Sequence, residues 1–363
     1  MLAGADPLRS HLEGRTAADL LDRASAGVAE TLGTTDDAIV WTSGGTESCH
    51  LAVLGCARAE VLSGGRRRHV VVSAVEHSSI LAAADRLATE HGFDVTTVGV
   101  DRAGLVDPDQ VRAVLRPDTL AVHLQHANHE VGAMQPTHDV ALACRAVGAV
   151  LHVDACQTVG QVGVTLDQLG ADLVSASSAK FGGPAGVGVL AIGPRARVRA
   201  LLEGDDRQRR RRAGQLDVAS IASAGVALAV ARAQMDTERS QRELVRRHLR
   251  TRLAQAVDDL ELHGPLADAH PGIVAASALF VNGEALLAEL DRRGIAAHSG
   301  SSCATTSGEP SHVLIAMAAL THGHVRFSFD ATITVADADR AVDVYSDAVA
   351  ALRATAGVRR AGR

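Results

Sequence analysis

The sequence predicts an α/β protein, with one large domain built on a mostly parallel sheet and a smaller α+β domain after it. Three observations predict this. Short apolar runs alternate with stretches of helical period from Ala38 to Ile192, the pattern that right-handed crossovers between parallel strands impose. The 363 residues suffice for one large core with an appended domain. From Glu238 the alternation yields to a charged helical stretch, the strand-like IVAASALFV, a helix over Glu284–Arg293 and the strand-like HVRFSFD. The boundary is placed at 236, giving domains 1–236 and 237–363.

Taken in order, apolar positions Ala18, Leu21, Ala24, Val28 and Leu32 mark a helix over Arg15–Leu32, with Gly33 as its C-cap. A strand over Ala38–Thr42 meets the small polar turn SGGTES, Ser43–Ser48, and a helix over Cys49–Leu62 follows. Backbone N–H groups at such a turn can hold a phosphate, although many turns of this kind hold nothing. The run HVVVS, His69–Ser73, precedes AVEHSS and a helix over Ile80–His91; DVTTVGV precedes a short helix near Asp107–Leu115. TLAVHLQ reads as a strand ending in HANHEVG, His126–Gly132. Two further strands close the series, one ending at Asp154 and one leading to Lys180 and a glycine-rich turn.

Net charge is −6, which gives no general footprint for nucleic acid, and the basic run Arg207–Arg212 reads as a solvated loop. The charge-free stretch Val218–Ala231 is too short to cross a bilayer and reads as a buried helix, so no membrane is expected. The five cysteines form no CxxC pair, their number is odd, and no basic-then-apolar leader opens the chain. A reduced, cytoplasmic setting without disulfides is expected.

Thr46, His77, His129, Asp154 and Lys180 each fall just after a predicted strand, where open parallel sheets bind ligands. A carboxylate at one strand end and an amine at a neighbouring turn suit an aldehyde cofactor with a basic ring nitrogen, which is pyridoxal phosphate. Lys180 is the single lysine of the chain. A sequence that meets its other cationic needs with arginine and keeps one lysine points to a task arginine cannot do, and imine formation is one. Arg326 alternates within a strand and reads either as a carboxylate clamp or as a solvated residue at a sheet edge. Cys303 lies in the small polar stretch SGSSCATTSGE and reads as a reactive thiol, whereas Cys49, Cys56, Cys144 and Cys156 lie in or beside apolar stretches and read as inert.

SGGTES, the EH of AVEHSS, HANHEVG, HVDACQTVG, SAKFGGPAGVG, SGSSCATTSGEPSHVL and HVRFSF, in this order, resemble the pyridoxal-phosphate-dependent cysteine desulfurases of the class V aminotransferase superfamily. The cysteine segment is similar to that of the group with the longer cysteine loop, which feeds iron–sulfur assembly and tRNA thiolation. The resemblance implies a fold-type I enzyme with a seven-stranded-type sheet, a homodimer with the cofactor near the subunit interface, L-cysteine as substrate, and a sulfur-acceptor protein. It implies Lys180 as the Schiff-base lysine, Asp154 as partner of the pyridine nitrogen and Gln157 as donor to the phenolate oxygen. His77 would stack on the ring and assist proton transfer, Gly45, Thr46 and Ser177 would hold the phosphate, and Arg326 would clamp the substrate carboxylate. Cys303 would take the sulfur as a persulfide, releasing alanine.

The chain departs from that pattern at Ala179, where the family has histidine, at Gln215, where it has a threonine offered to the other subunit, and at His129, where it has an asparagine beside the cofactor. Its N-terminus is short against the family. Two alternatives therefore stand beside the desulfurase: a carbon–sulfur or selenocysteine lyase on the same scaffold, and a degenerate accessory subunit that binds a sulfur carrier.

Overall fold

A computed structural model of the protein describes residues 5–299 and 310–357. Cys303 lies outside the described residues. The chain forms two compact units. The first comprises 5–98, 106–126 and 135–235; the second comprises 99–105, 127–134 and 236–357. A single cut at 236 therefore misses two short segments, 99–105 and 127–134, which belong with the C-terminal unit. Each follows a strand of the first unit and returns to it within a few residues, so no local sequence signal marks the exchange.

The first unit is built in order from helix α1 (Leu12–Leu32), strand β1 (Ile39–Thr42), α2 (Gly45–Leu62), β2 (His69–Ser73), α3 (Ser78–His91), β3 (Asp94–Val98), α4 (Pro108–Val114) and β4 (Thr119–Gln125). It continues with α5 (Thr137–Val147), β5 (Val150–Asp154), α6 (Leu166–Leu169), β6 (Leu173–Ser177), β7 (Gly188–Ile192), the short α7 (Arg207–Arg210) and the start of α8 (Val218–Ala256). The seven strands form one sheet in the order β1-β7-β6-β5-β4-β2-β3. β3, β2, β4, β5 and β6 run parallel; β7 is antiparallel to both β6 and β1. Strands covered on both faces need apolar side chains at every position, and β2 and β5 are buried throughout. The core joins the inner face of α2 to strand residues such as Val70, Val72, Leu173 and Leu190.

α1 ends where expected, at Gly33 in the left-handed conformation (φ 64°). α2 begins four residues earlier than the expected Cys49, because Gly44 takes φ 152° at its N-cap and lets the helix turn directly off β1. The run Arg207–Arg212 is not a solvated loop: Arg207 pairs with Asp6 at 2.9 Å, Arg211 donates to the Asp37 carbonyl at 2.8 Å, and Arg212 pairs with Glu47 at 3.0 Å. Gln208 donates its side-chain amide to the Trp41 carbonyl at 2.8 Å, satisfying backbone on the sheet-edge strand β1.

α8 is a second departure. It runs unbroken for 39 residues, so the apolar stretch and the charged stretch are one helix. No glycine or proline separates them, and Arg232, Ala233, Gln234 and Met235 between them are good helix formers. Among the described residues it is the one helix long and apolar enough to cross a membrane by length and composition, and only 22% of its apolar window is buried. Val226 and Val230 are exposed, so the stretch is not the buried helix expected.

The second unit adds β8 (Leu260–His263), β9 (Ile273–Ala278), α9 (Gly283–Arg292), α10 (His312–Ala316), β10 (His324–Ser328) and α11 (Val335–Thr355). Its antiparallel sheet has the order β10-β9-β8. Val245, Leu249 and Leu253 of α8 pack there with Val274, Val325, Phe327 and Tyr345.

Candidate active site

Within the first unit Gly45, Ser177 and Asp154 lie close to Cys156. The α2 N-terminus receives no side-chain cap, since its N-cap is Gly44. The first-turn N–H groups of a helix carry partial positive charge and need an acceptor. Thr46 is exposed on this turn. Gly45 lies so close to the end of β6 and the turn after β5 that a Cβ placed there would sit 2.7 Å from Cys156 Sγ and 3.3 Å from Ser177 Cβ. Ser177 therefore faces the start of α2, as a hydroxyl for the same acceptor must. An open pocket beside it is lined by Ser43, Thr46, Glu47, His50, Arg211 and Arg212. Burial alone would raise the Glu47 carboxyl, but bonds from Arg212 and Ser43 hold it below its ordinary value.

Asp154 ends β5, is 8% exposed, and lies opposite Gln125 on β4 and Ser175 on β6. Its Oδ1 accepts the Cys156 N–H at 2.9 Å, which fixes the carboxylate. Gln157 is half-buried in the turn that follows. β6 passes through the single turn Ser178–Lys180, which leaves Lys180 exposed with its carbonyl held by Gln161 Nε2 at 2.6 Å. The turn after it needs glycine: Gly182 has φ 84°, and a Cβ at Gly183 would collide with Ser178 Oγ. Ala179 is exposed beside Lys180, and Gln215 is exposed as well.

His77 is the N-cap of α3. Its Nδ1 accepts the Ser79 N–H at 3.2 Å and lies 2.8 Å from Ser79 Oγ. An Nδ1 that accepts from a backbone N–H leaves Nε2 to carry the proton of the neutral ring. One neighbour escaped the sequence reading as a group with chemistry of its own. Glu76 is fully buried, accepts the Gln125 N–H at 2.9 Å, and is pushed up to about 8 by burial, with the charge of Asp154 adding to the shift. The only sequence signal was its place beside His77 at a strand end.

The second unit holds a separate polar cluster. Asn128 Oδ1 accepts the N–H groups of Glu130 and Val131, both at 2.8 Å, and shapes the turn that carries His129. Arg326 on β10 is half-buried and donates Nη1 to the His129 carbonyl at 2.8 Å. Glu130 is buried, accepts a bond from Ser311 Oγ at 2.5 Å, and has His129 Nε2 at 3.6 Å. Burial pushes it up to about 7, against the lowering effect of Ser311 and Arg326. Sequence reading passed over Glu130 and Ser311, which are far apart in the chain and adjacent in space.

Of the four described cysteines, Cys56 and Cys144 are buried and pushed up to about 12 by burial, as inert thiols are. Cys156 differs in being partly exposed and next to Asp154, and its thiol too is raised well above its ordinary value.

Residues 7–341 match the family model described as aminotransferase class-V. A cysteine desulfurase IscS of Dictyoglomus turgidum is 35% identical over 351 residues, covering 96% of this chain and 88% of the relative. Among solved structures, a NifS-like protein superposes with a TM-score of 0.86 at 28% identity, covering 95% of this chain and 91% of the other. A structure described as SspA in complex with cysteine superposes with a TM-score of 0.74 at 25% identity, covering 90% and 91%.

Proposed function

This chain belongs to the aminotransferase class-V family, and on that premise we propose that it is a pyridoxal-phosphate-dependent cysteine desulfurase, converting L-cysteine to L-alanine and leaving the sulfur on Cys303. The observation that carries the cofactor assignment is the cradle at the start of α2: an uncapped helix N-terminus, a glycine that no larger residue can replace without displacement, and Ser177 facing it, all beside the buried Asp154. That set fits a phosphate at one end and a protonated ring nitrogen at the other. When bound, the cofactor supplies an aldehyde for amines and a ring that stores the electrons released at the substrate α-carbon.

The chain's own residues take the following parts. The Gly45 N–H, Thr46 Oγ1 and Ser177 Oγ receive the phosphate. The Asp154 carboxylate, fixed by the Cys156 N–H, holds a proton on the ring nitrogen, and Gln157 donates to the phenolate oxygen. Lys180 Nζ anchors the cofactor and takes the substrate α-proton. His77, with its proton on Nε2, would stack on the ring and move protons, and His129 would add a further titratable group. Arg326, whose Nη1 donates to the His129 carbonyl, would clamp the substrate carboxylate. The Cys303 thiolate attacks the substrate sulfur; the carbon–sulfur bond breaks as the sulfur–sulfur bond forms, and the carbon skeleton leaves as alanine after protonation.

A homodimer is part of the proposal, supported by the exposed Val226 and Val230 on α8, which a second copy would cover. A sulfur-acceptor protein is another part, since a persulfide must be discharged for turnover. A cytoplasmic setting is proposed because Cys303 must stay reduced. The decisive experiment measures alanine and sulfide from L-cysteine with a reductant, for wild type and Cys303→Ala. Alanine that disappears in the variant supports the desulfurase; pyruvate, or a variant as active as wild type, identifies a lyase instead.

A further inference from the structure

Cys49, on the inner face of α2, and Cys156, in the turn after β5, are far apart in sequence and meet in the first unit. Their Sγ atoms and a carboxylate oxygen of Asp154 all lie within 4.8 Å of one another. Cys49 is buried and Cys156 partly exposed. A tetrahedral zinc centre, with bonds of about 2.3 Å to sulfur and about 2.0–2.2 Å to oxygen, places its donor atoms roughly 3.3–3.8 Å apart. Donor pairs as far as 4.8 Å apart need to close by at most about 1.0–1.5 Å to reach that geometry.

We propose that Cys49, Cys156 and Asp154 form a binding site for a thiophilic divalent cation such as zinc, and that this cation and the cofactor compete for the Asp154 carboxylate. Two sulfurs and one oxygen select borderline-soft ions over magnesium or calcium, and three protein ligands leave a fourth position for water. The Cys156 N–H on Asp154 Oδ1 orients that carboxylate in either state. Both thiols are raised above their ordinary range: Cys156 chiefly by the neighbouring Cys49 thiol, and Cys49, which the neighbouring Cys156 thiol lowers, by burial and the charge of Asp154. Each thiol gives up its proton to solvent when the cation binds, so loading releases two protons per ion and weakens as pH falls. The competition rests on the assignment of Asp154 to the ring nitrogen; the binding itself does not.

The test uses the cofactor-loaded protein carrying Cys303→Ser, which removes the loop thiol as a rival ligand. It is dialysed against zinc, and zinc per chain and bound-cofactor absorbance are read together. The expected result is one zinc per chain, cofactor released in step with zinc uptake, and zinc affinity reduced at least about tenfold by either Cys49→Ser or Cys156→Ser. Equal zinc uptake with and without these substitutions overturns the site. Zinc bound at full stoichiometry with all cofactor retained overturns the competition. Should the serine variants fail to fold, alkylation of the unsubstituted cysteines decides: zinc must slow labelling of Cys156, and an unchanged labelling rate refutes the site. Failure of the desulfurase reading shows up elsewhere, as a cofactor band that persists in Lys180→Ala, and leaves the zinc measurement intact.

Discussion

Gly45→Ala is the smallest change that should separate folding of the large unit from its capacity to hold a cofactor. The added methyl group would lie 2.7 Å from Cys156 Sγ and 3.3 Å from Ser177 Cβ. Comfortable contacts between such atoms begin at about 3.5–4.0 Å, so one partner must yield by about 1 Å. The backbones of both are held, Cys156 through its N–H to Asp154 and Ser177 within β6. Room must then come from rotation of the Cys156 side chain or from displacement of the first turn of α2. Overpacking of this kind costs about 1–3 kcal/mol of stability. For the cofactor the effect is larger, because a shift of about 1 Å spoils hydrogen bonds to a charged phosphate worth about 1.5–3 kcal/mol each, and losing two weakens binding by about 10²–10⁴-fold. Cofactor titration by absorbance, with thermal melts in its presence and absence, reads both quantities. Gly45→Ala combined with Cys156→Ala removes the Sγ from the collision and should recover most of the affinity, a non-additivity expected only of residues in contact. Unchanged affinity in the single variant would refute the cradle; a double variant no better than the single would show that Cys156 is not the obstacle.

Four other outcomes are expected. Lys180→Ala should lose the absorbance of lysine-bound cofactor, and a persisting band removes Lys180 from its role. Arg326→Ala should raise KM for cysteine by about 10²-fold, with Arg326→Lys recovering little because one ammonium cannot replace a planar fork; an unchanged KM moves the carboxylate clamp elsewhere. Glu76, raised by burial from 4.5 to about 8, binds its proton more tightly folded than unfolded. Its contribution is therefore fully present below about pH 4.5 and is lost as pH rises toward and through 8, amounting to a few kcal/mol, roughly. Glu76→Gln should flatten that decline in melts between pH 5 and pH 9, values set by the same linkage at about these limits, and equal slopes in both proteins would contradict it. In Ser311→Ala, loss of the hydroxyl bond should raise the Glu130 carboxyl further and shift any pH dependence of KM it controls upward; an unmoved profile separates Glu130 from substrate binding.

Local pattern carried most of the large unit. HVVVS and TLAVHLQ became β2 and β4 with the expected bounds, because strands buried on both faces leave an unbroken apolar run. The strand-end positions of Asp154 and His77 and the turn position of Lys180 were legible for the same reason: a residue just after a parallel strand lies at the sheet's binding edge whatever its partners are. α8 was misread because a change from apolar to charged composition looks like an element boundary, whereas a helix breaks only where backbone or packing demands it.

What the sequence determined by itself, then, was the order and kind of its elements and the chemical types available at their ends. Those follow from hydrophobic period, turn residues and a single lysine, all of them local properties. Only the tertiary structure decided that 99–105 and 127–134 join the second unit, that Glu130 meets Ser311, that Arg212 turns to Glu47, and that Cys49 and Cys156 share a space with Asp154. Each depends on sheet order and helix packing, which bring distant segments within a few ångströms, and a one-dimensional pattern holds no distance between residues that are not neighbours in the chain.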